Sequence, residues 1–539
     1  MSAYTGTGRL VRLALRRDRI QLPIWILGSA VLLAAGAAAV ADAFPTHQDR
    51  VTALQGAGAS PAVLVMRGVP VGADLGALAN FRNLAFMLVL AALMSTFAVI
   101  RHTRQNEETG RAEMIGAGSV GRYAGLTAAL VVTFGANLLL GVALTGALVA
   151  NDLSTPGALA FGAATAATGM AFAGIAAVAA QLFRSARAAN AFAATAVGVA
   201  FLARGVGDAL GERAPDGITV TSSWVSWLSP LGWGAAVRPY GDERWWALAL
   251  PAGLLVISVA VAFALVSRRD LGAGLIPDRP GPATGALRNP YGLAWRLQRG
   301  AIFGWVIGSA LFGFGIGTLG DAVKNGMSDS KGAAEFINQL SGGAVAQLVD
   351  SYFAAMMNTF GALAAGFVIQ ALLRLRSEEA GGPAEALLAT AVGRARWIAS
   401  HLLCAVGGAA AMLLLAGFSA GLADAAAGGD VGVGVLTAAG LVQLPAALTV
   451  AGFVVLVFGG LPRLVVALAW TALVVSLACG LFGDLLGLPE PVRDLSPFSH
   501  VPAIPAADAT PGPILALLAV AAGLAVAGLA LFRRRDIAP

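Results

Sequence analysis

Chemistry on this 539-residue chain has to come from few groups, since only 12% of its residues are charged. There are two lysines, and a phosphate-gripping P-loop needs a Lys followed by Ser or Thr. Lys324 precedes Asn325 and Lys331 precedes Gly332, so no ATPase motor of that kind is encoded. Cys404 and Cys479 sit in apolar runs, which suggests neither a disulfide framework nor a redox pair. His47, His102, His401 and His500 are scattered without metal-ligand spacing, so no metal site is expected. No nucleophile–base constellation marks an enzyme either, and the chain is expected not to be one.

Carboxylates paired with arginines carry more information. Residues 101–122 read RHTRQNEETGRAEMIGAGSVGR, and residues 374–394 read RLRSEEAGGPAEALLATAVGR. Both contain two adjacent Glu (Glu107–Glu108, Glu378–Glu379), a following Gly, and a later Ala-Glu (Ala112-Glu113, Ala384-Glu385). On a helix Arg104 and Glu108 lie four apart, as do Glu107 and Arg111, so ion pairs are expected to support a short helix. Gly110, Gly116 and Gly118 would break it into a compact elbow.

The elements that position these loops are membrane spans. Hydrophobic residues make up 58% of the chain without counting its 69 Gly, against roughly 45–50% with Gly included in ordinary soluble domains. A soluble enzyme of this length, a disordered chain and a nucleic-acid-binding domain are all excluded by that balance. A spanning helix needs about 20 apolar residues, and twelve such runs are expected. They lie near 22–41, 84–100, 123–150, 158–183, 190–207, 246–266, 301–319, 353–373, 397–421, 435–460, 464–486 and 513–532. With the N-terminus inside, 25 of the 35 Lys and Arg fall on the inner side and 19 of the 29 Asp and Glu on the outer side. That asymmetry predicts a plasma-membrane protein with both termini cytoplasmic.

The chain also repeats itself. Trp25–Ala30 (WILGSA) returns as Trp305–Ala310 (WVIGSA), and Gly121–Arg122 as Gly393–Arg394. Gly207–Asp208 returns as Gly483–Asp484, Leu228-Ser229-Pro230 as Leu495-Ser496-Pro497, and Arg268-Arg269-Asp270-Leu271 as Arg534-Arg535-Asp536-Ile537. Two six-span halves follow, residues 1–270 and 271–539. An even number of spans gives both the same orientation, with a pseudo-twofold axis along the membrane normal and a substrate path between them.

Charged residues fall in loops or at span edges, with Arg204, Asp208 and Asp484 nearest to burial, where they are read as anchors of helix ends. The scarcity of buried carboxylates weighs against a proton-coupled secondary carrier, the main alternative. A membrane enzyme or a scaffold is the other alternative. Gly300, Gly304 and Gly308 form a small-residue ridge expected to pack against another helix. Arg9, Arg12, Arg16 and Arg19 mark an interfacial lead-in helix. Trp224, Trp227, Leu228, Pro230 and Trp233 are read as a re-entrant or interfacial element. Met87, Met94 and Phe97, and Phe353, Met357, Phe360 and Phe367, share helix faces that suit a large apolar ligand.

On the Glu-Glu loops, the Leu-Ser-Pro segments and the Arg-Arg-Asp endings, the chain resembles the double-length ABC-2-type permeases described as exporters of polyketide antibiotics (tetronasin-type), over nearly its whole length. The resemblance implies an all-α fold of twelve spans in two parallel six-helix repeats. It also implies that two copies of a separate ABC ATPase hold the ATP and Mg, that this chain binds no cofactor or nucleic acid, and that a hydrophobic compound is exported, as in multidrug efflux. Each loop would be a coupling helix docking on the ATPase through Glu107, Glu108, Gly110, Arg111 and Glu113, and through Glu378, Glu379, Gly381 and Glu385. Short re-entrant helices before the last span of each half are implied too, as are second and fifth spans near the central path.

Overall fold

The computed structural model describes residues 2–59, 61–277, 289–318, 344–480, 489–508 and 510–536. Lys324, Lys331, Gly483 and Asp484 lie outside the described residues. The chain divides into two compact units, Met1–Gly281 and Pro282–Pro539.

The first unit runs α1 (Thr7–Arg17), α2 (Gln21–Ala43), α3 (His47–Ala59), α4 (Pro61–Arg67) and α5 (Leu75–His102). There follow α6 (Arg104–Glu108), α7 (Arg111–Gly116), α8 (Ala124–Val149), α9 (Thr155–Leu182), α10 (Ala186–Ala209), α11 (Pro230–Ala235) and α12 (Ala249–Val266). The second unit holds α13 (Pro290–Gly317), α14 (Ala344–Ala380), α15 (Pro383–Leu388), α16 (Arg394–Ala426) and α17 (Val433–Leu441). It ends with α18 (Leu444–Gly460), α19 (Val465–Gly480), α20 (Glu490–Arg493) and α21 (Pro511–Arg534).

Among the described residues, 11 helices are long and apolar enough to cross a membrane. One of the 11 joins α17 and α18 as Val433–Gly460. The expected run near 464–486 corresponds to α19, which has 16 residues and falls short of that criterion. The protein is therefore a polytopic α-helical membrane protein.

Helix pairing follows one scheme in each unit. In the first, α2 packs on α8, α5 on α9, and α9 on α8 and α12. In the second, α13 packs on α16, α14 on α18, α16 on α17, and α18 on α21. First-on-third, second-on-fourth, third-on-fourth and fourth-on-sixth contacts thus recur. Lipid supplies no hydrophobic drive between helices, so close backbone approach has to hold them together. A Cβ at Gly452 would lie 2.5 Å from the Ala521 carbonyl oxygen, and one at Gly141 would lie 2.9 Å from that of Gly162.

The glycine ridge of α13 behaves differently from the expectation. Within its own unit nothing lies within 4 Å of a Cβ at Gly300, Gly304 or Gly308. The helix packs through its other side, where Ile302, Val306 and Ser309 are buried and Gly313 abuts the Ala416 carbonyl. The open ridge borders a groove of about 390 Å³ with Trp305, Phe312, Leu363 and Gln370.

Arg204 and Asp208 sit in the last turns of α10, where they form a buried ion pair of 2.8 Å, each side chain 1% exposed. Arg204 donates to the Val65 carbonyl and Asp208 accepts from Ser222 at 2.6 Å, so the pair fastens α10 to α4 and to the loop that follows α10. In that loop Ser229 caps α11, accepting from the backbone N–H groups of Leu231 and Gly232. Ser496 caps the short turn of helix Pro497–His500 in the same way. Leu-Ser-Pro is therefore a cap-and-start signal in both units. Trp224 and Leu228 remain exposed at 72% and 66%, and Trp227 stacks on Trp246.

Candidate functional site: two clamped elbows

Each second span ends in a bend followed by a short helix, and in the first unit a further short helix, α6, precedes the bend. The bend falls on Gly110 (φ 71°) between α6 and α7, and on Gly382 (φ 88°) before α15. Both residues lie in the left-handed region that only glycine adopts cheaply. The turn glycine in the second loop is therefore Gly382, and Gly381 precedes it. An offset of 272 aligns Gly110 with Gly382, Glu107 with Glu379, Glu113 with Glu385 and Arg122 with Arg394. The two Glu-Glu pairs are thus one residue out of register: Glu108 matches Ala380, and Glu378 matches Asn106.

The ion pairs depart from the i,i+4 expectation. Arg104 is fully buried and pairs with Glu107 at 2.9 Å, leaving Glu108 to other partners. Its guanidinium is drawn inward by the carbonyl oxygens of Ala180, the nearer at 2.5 Å to Nη2, and Ala273 at 3.1 Å. Glu107 turns away from Arg111 and takes Arg269 in a bidentate grip at 2.6 and 2.8 Å, with the Gly272 N–H donating to it as well. Glu108 accepts from the backbone N–H of Ala186, the first residue of α10. A helix of five residues is too short for i,i+4 pairing to compete with buried donors nearby.

In the second unit Glu379, 3% exposed, grips Arg535 bidentately at 2.6 and 3.1 Å. The Arg535 guanidinium lies over the rings of Phe458 and Phe532, 5.2 and 4.9 Å from their centroids. Glu378 is held by Arg374 at 3.0 Å, the Trp397 indole N–H at 3.3 Å and His401 at 3.4 Å. Arg122 donates to the carbonyls of Val266 and Arg269, and Arg394 to those of Phe532, Arg533 and Arg535. Each elbow is thereby clamped to the end of its own unit's sixth span.

Of the nine loop residues singled out in the sequence, four glutamates are engaged internally and two glycines sit at or beside the bend. Arg111, Glu113 and Glu385 are exposed at the tips, joined by Met114 at 72% exposure. The clamp arginines Arg104, Arg269 and Arg535 were missed as site residues, although the repeated Arg-Arg-Asp ending carried the signal. A second missed pairing ties α1 to α5: Asp18 binds Arg101 and His102, both at 2.6 Å. Burial alone would raise the Asp18 carboxyl, but His102 and Arg101 hold it below the usual carboxylate range.

The apolar faces proposed for a substrate path sit inside their own units. Met87 and Met94 are 2% exposed, and Phe353, Met357, Phe360 and Phe367 are at most 1% exposed. Phe97 is half-buried. Phe360 contacts Phe312, and Phe367 contacts Trp305, two residues of the groove beside the α13 ridge. No group of His, Cys, Asp and Glu suited to a metal ion occurs among the described residues.

Two comparisons bear on this arrangement. A family model for the C-terminal domain of the multidrug efflux system permease Rv1217c matches residues 287–533. Over 541 residues, covering 99% of this chain and 96% of the relative, the sequence is 41% identical to the multidrug efflux system permease protein Rv1217c of Mycobacterium tuberculosis.

Proposed function

The chain belongs to the family of the multidrug efflux system permease Rv1217c, and from that premise we propose that it is the permease of an ATP-driven, ABC-2-type exporter of hydrophobic or amphiphilic compounds. Its twelve spans form a duplicated pair of six-span halves with both termini in the cytoplasm. Two copies of a separate ATPase supply ATP and Mg, one under each half. The observation that carries this reading is the shape of the elbows: an exposed charged tip on a turn rigidly clamped to the end of the sixth span. Such a lever transmits force without bending. When the motors close on ATP, thrust on Arg111, Glu113 and Glu385 passes through Glu107–Arg269 and Glu379–Arg535 into the second and sixth spans of each half.

The test is to purify the chain with its ATPase and measure substrate-stimulated ATP hydrolysis. Arg111→Glu with Glu113→Arg, and separately Glu385→Arg, are expected to lower stimulation by about fivefold or more. Thermal stability of the permease should be unchanged, because these side chains are exposed. Full stimulation in both variants would sink the coupling role. The buried Arg204–Asp208 pair is a feature that a proton-coupled carrier could use, although its carboxylate is already engaged by Arg204 and Ser222. Transport by the lone chain in liposomes, driven by a pH gradient and abolished by a protonophore, would favour that carrier.

A further inference from the structure

Beneath the first elbow lies a hollow of about 450 Å³, within the range of small-ligand sites. Its walls are α1 (Leu10, Leu13, Ala14), the elbow (Ile115), the start of α8 (Gly125, Leu126, Ala128, Ala129), the end of α12 (Val266) and Leu271 beyond it. Its charged lining comprises Arg17, Arg122, Arg269, Glu107 and Asp270. Glu107 and Arg269 neutralise each other in the clamp. Arg17 binds the Asn106 amide oxygen and Arg122 binds carbonyl oxygens, so both keep their full charge at the rim.

The second unit shows that this space is optional. Gly125 and Ala129 correspond to Trp397 and His401 at the same offset of 272, and Val266 corresponds to Phe532 at the 266 offset of the Arg-Arg-Asp endings. Trp397 packs on both His401 and Phe532, with ring centroids 6.0 and 5.8 Å away. The first unit has small residues at all three places, and nothing lies within 4 Å of a Cβ at Gly125. An apolar void of this size exposed to no ligand would forgo dispersion contacts that the second unit makes.

Its depth fits the inner membrane interface. It lies at the ends of two spanning helices, beside the aromatic cluster Tyr4–Tyr123–Phe263. It also lies beneath a lead-in helix that exposes Leu13 and Leu15 among its arginines. Basic pockets at this level receive anionic headgroups.

We propose that the hollow binds an anionic phospholipid of the inner leaflet, with one acyl chain against Leu13, Leu126 and Ala129 and its phosphate on Arg17 and Arg122. The bound chain fills the space that Trp397, His401 and Phe532 fill in the second unit, and so stiffens the first elbow. This assignment does not depend on the ATPase reading.

The full chain in phosphatidylcholine nanodiscs, doped with phosphatidylglycerol bearing a photoactivatable acyl chain, provides the test. Labelling mapped by peptide mass spectrometry is expected on α1 and the first turns of α8, with little from the matching phosphatidylcholine probe. Arg17→Gln should cut it about fivefold. Gly125→Trp, which installs the second unit's own residue in open space, should abolish it while leaving the size-exclusion profile intact. Undiminished labelling in Gly125→Trp, equal labelling by the zwitterionic probe, or competition by free inorganic phosphate would each overturn the lipid assignment. Displacement of the probe by a purified ATPase would instead make the hollow a protein-docking site.

Discussion

The two elbows share a clamp but differ in what surrounds it. In the first, Glu107 sits between two arginines that also donate to the backbone carbonyls of Ala180 and Ala273 and to the Gln181 side chain, next to an open hollow. In the second, Glu379 meets Arg535, whose guanidinium rests on two phenylalanine rings beside a filled aromatic cluster. The glutamate, the bend glycine and the carbonyl-binding arginine occupy matching positions, so those three define the elbow. The clamp arginines Arg269 and Arg535 match as well, and the groups around the clamps differ. One half surrounds its clamp with polar networks and a cavity, the other with aromatic packing.

That contrast predicts unequal costs for the same deletion. Glu107→Ala leaves Arg104 and Arg269 buried at 0% and 7% side-chain exposure without a carboxylate. Removing one partner of a buried pair costs about 3–5 kcal/mol. Glu379→Ala leaves two arginines, but both are partly hydrated: Arg376 is 23% exposed, and Arg535 is 17% exposed and cushioned on aromatic faces. Cation–π contact and partial hydration should hold that loss to roughly 2 kcal/mol. Thermal unfolding of the two variants in one detergent should place Glu107→Ala clearly below Glu379→Ala. The reverse order would break the proposed division between a polar and an aromatic clamp.

A second pair of variants should instead give equal effects. No atom lies within 4 Å of a Cβ at Gly110 or Gly382, so Gly→Ala there costs only the positive φ. That is about 1–2 kcal/mol at either bend. Equal losses in Tm would identify the bend as the shared part of the elbow. A loss at one bend alone would show that the other turn is not held in the left-handed region.

Much of the fold was legible because a bilayer enforces simple rules: length and hydropathy located the long helices, although α5, α13 and α14 begin about ten residues before the expected runs. Of the expected run near 464–486, the described residues show Val465–Gly480 as helix α19. The elbows were legible as places and misread as chemistry. Helical spacing pairs Arg104 with Glu108, but it carries no information on the Ala180 and Ala273 carbonyls, 76 and 169 residues away, that pull Arg104 inward. The adjacent glutamates also disguised the register, which the shared offset of Gly110/Gly382, Glu113/Glu385 and Arg122/Arg394 exposes. The burial of Met87, Phe353 and Phe360 was foreshadowed by their shared helix faces, because apolar faces that suit a ligand also suit a core.

The smallest expected difference concerns Glu108, which has no acidic counterpart at Ala380. Its carboxylate accepts from the Ala186 N–H while the Ser185 hydroxyl accepts from Ala188, so two of the four orphan donors at the start of α10 are satisfied. It also sets a negative charge at the positive end of that helix dipole. The contact joins the first elbow to the fifth span directly. Glu108→Ala should cost about 0.5–1 kcal/mol, because the Ser185 cap remains. The change should appear as a few-fold faster amide hydrogen exchange at Ala186–Ala189, with Glu108→Gln in between and its charge-dependent part fading at high salt. Ala380→Glu should leave the second unit's exchange unchanged. If that substitution instead slowed exchange at the start of α19, the direct link from elbow to fifth span would belong to both halves, and the asymmetry would lie in the hollow alone.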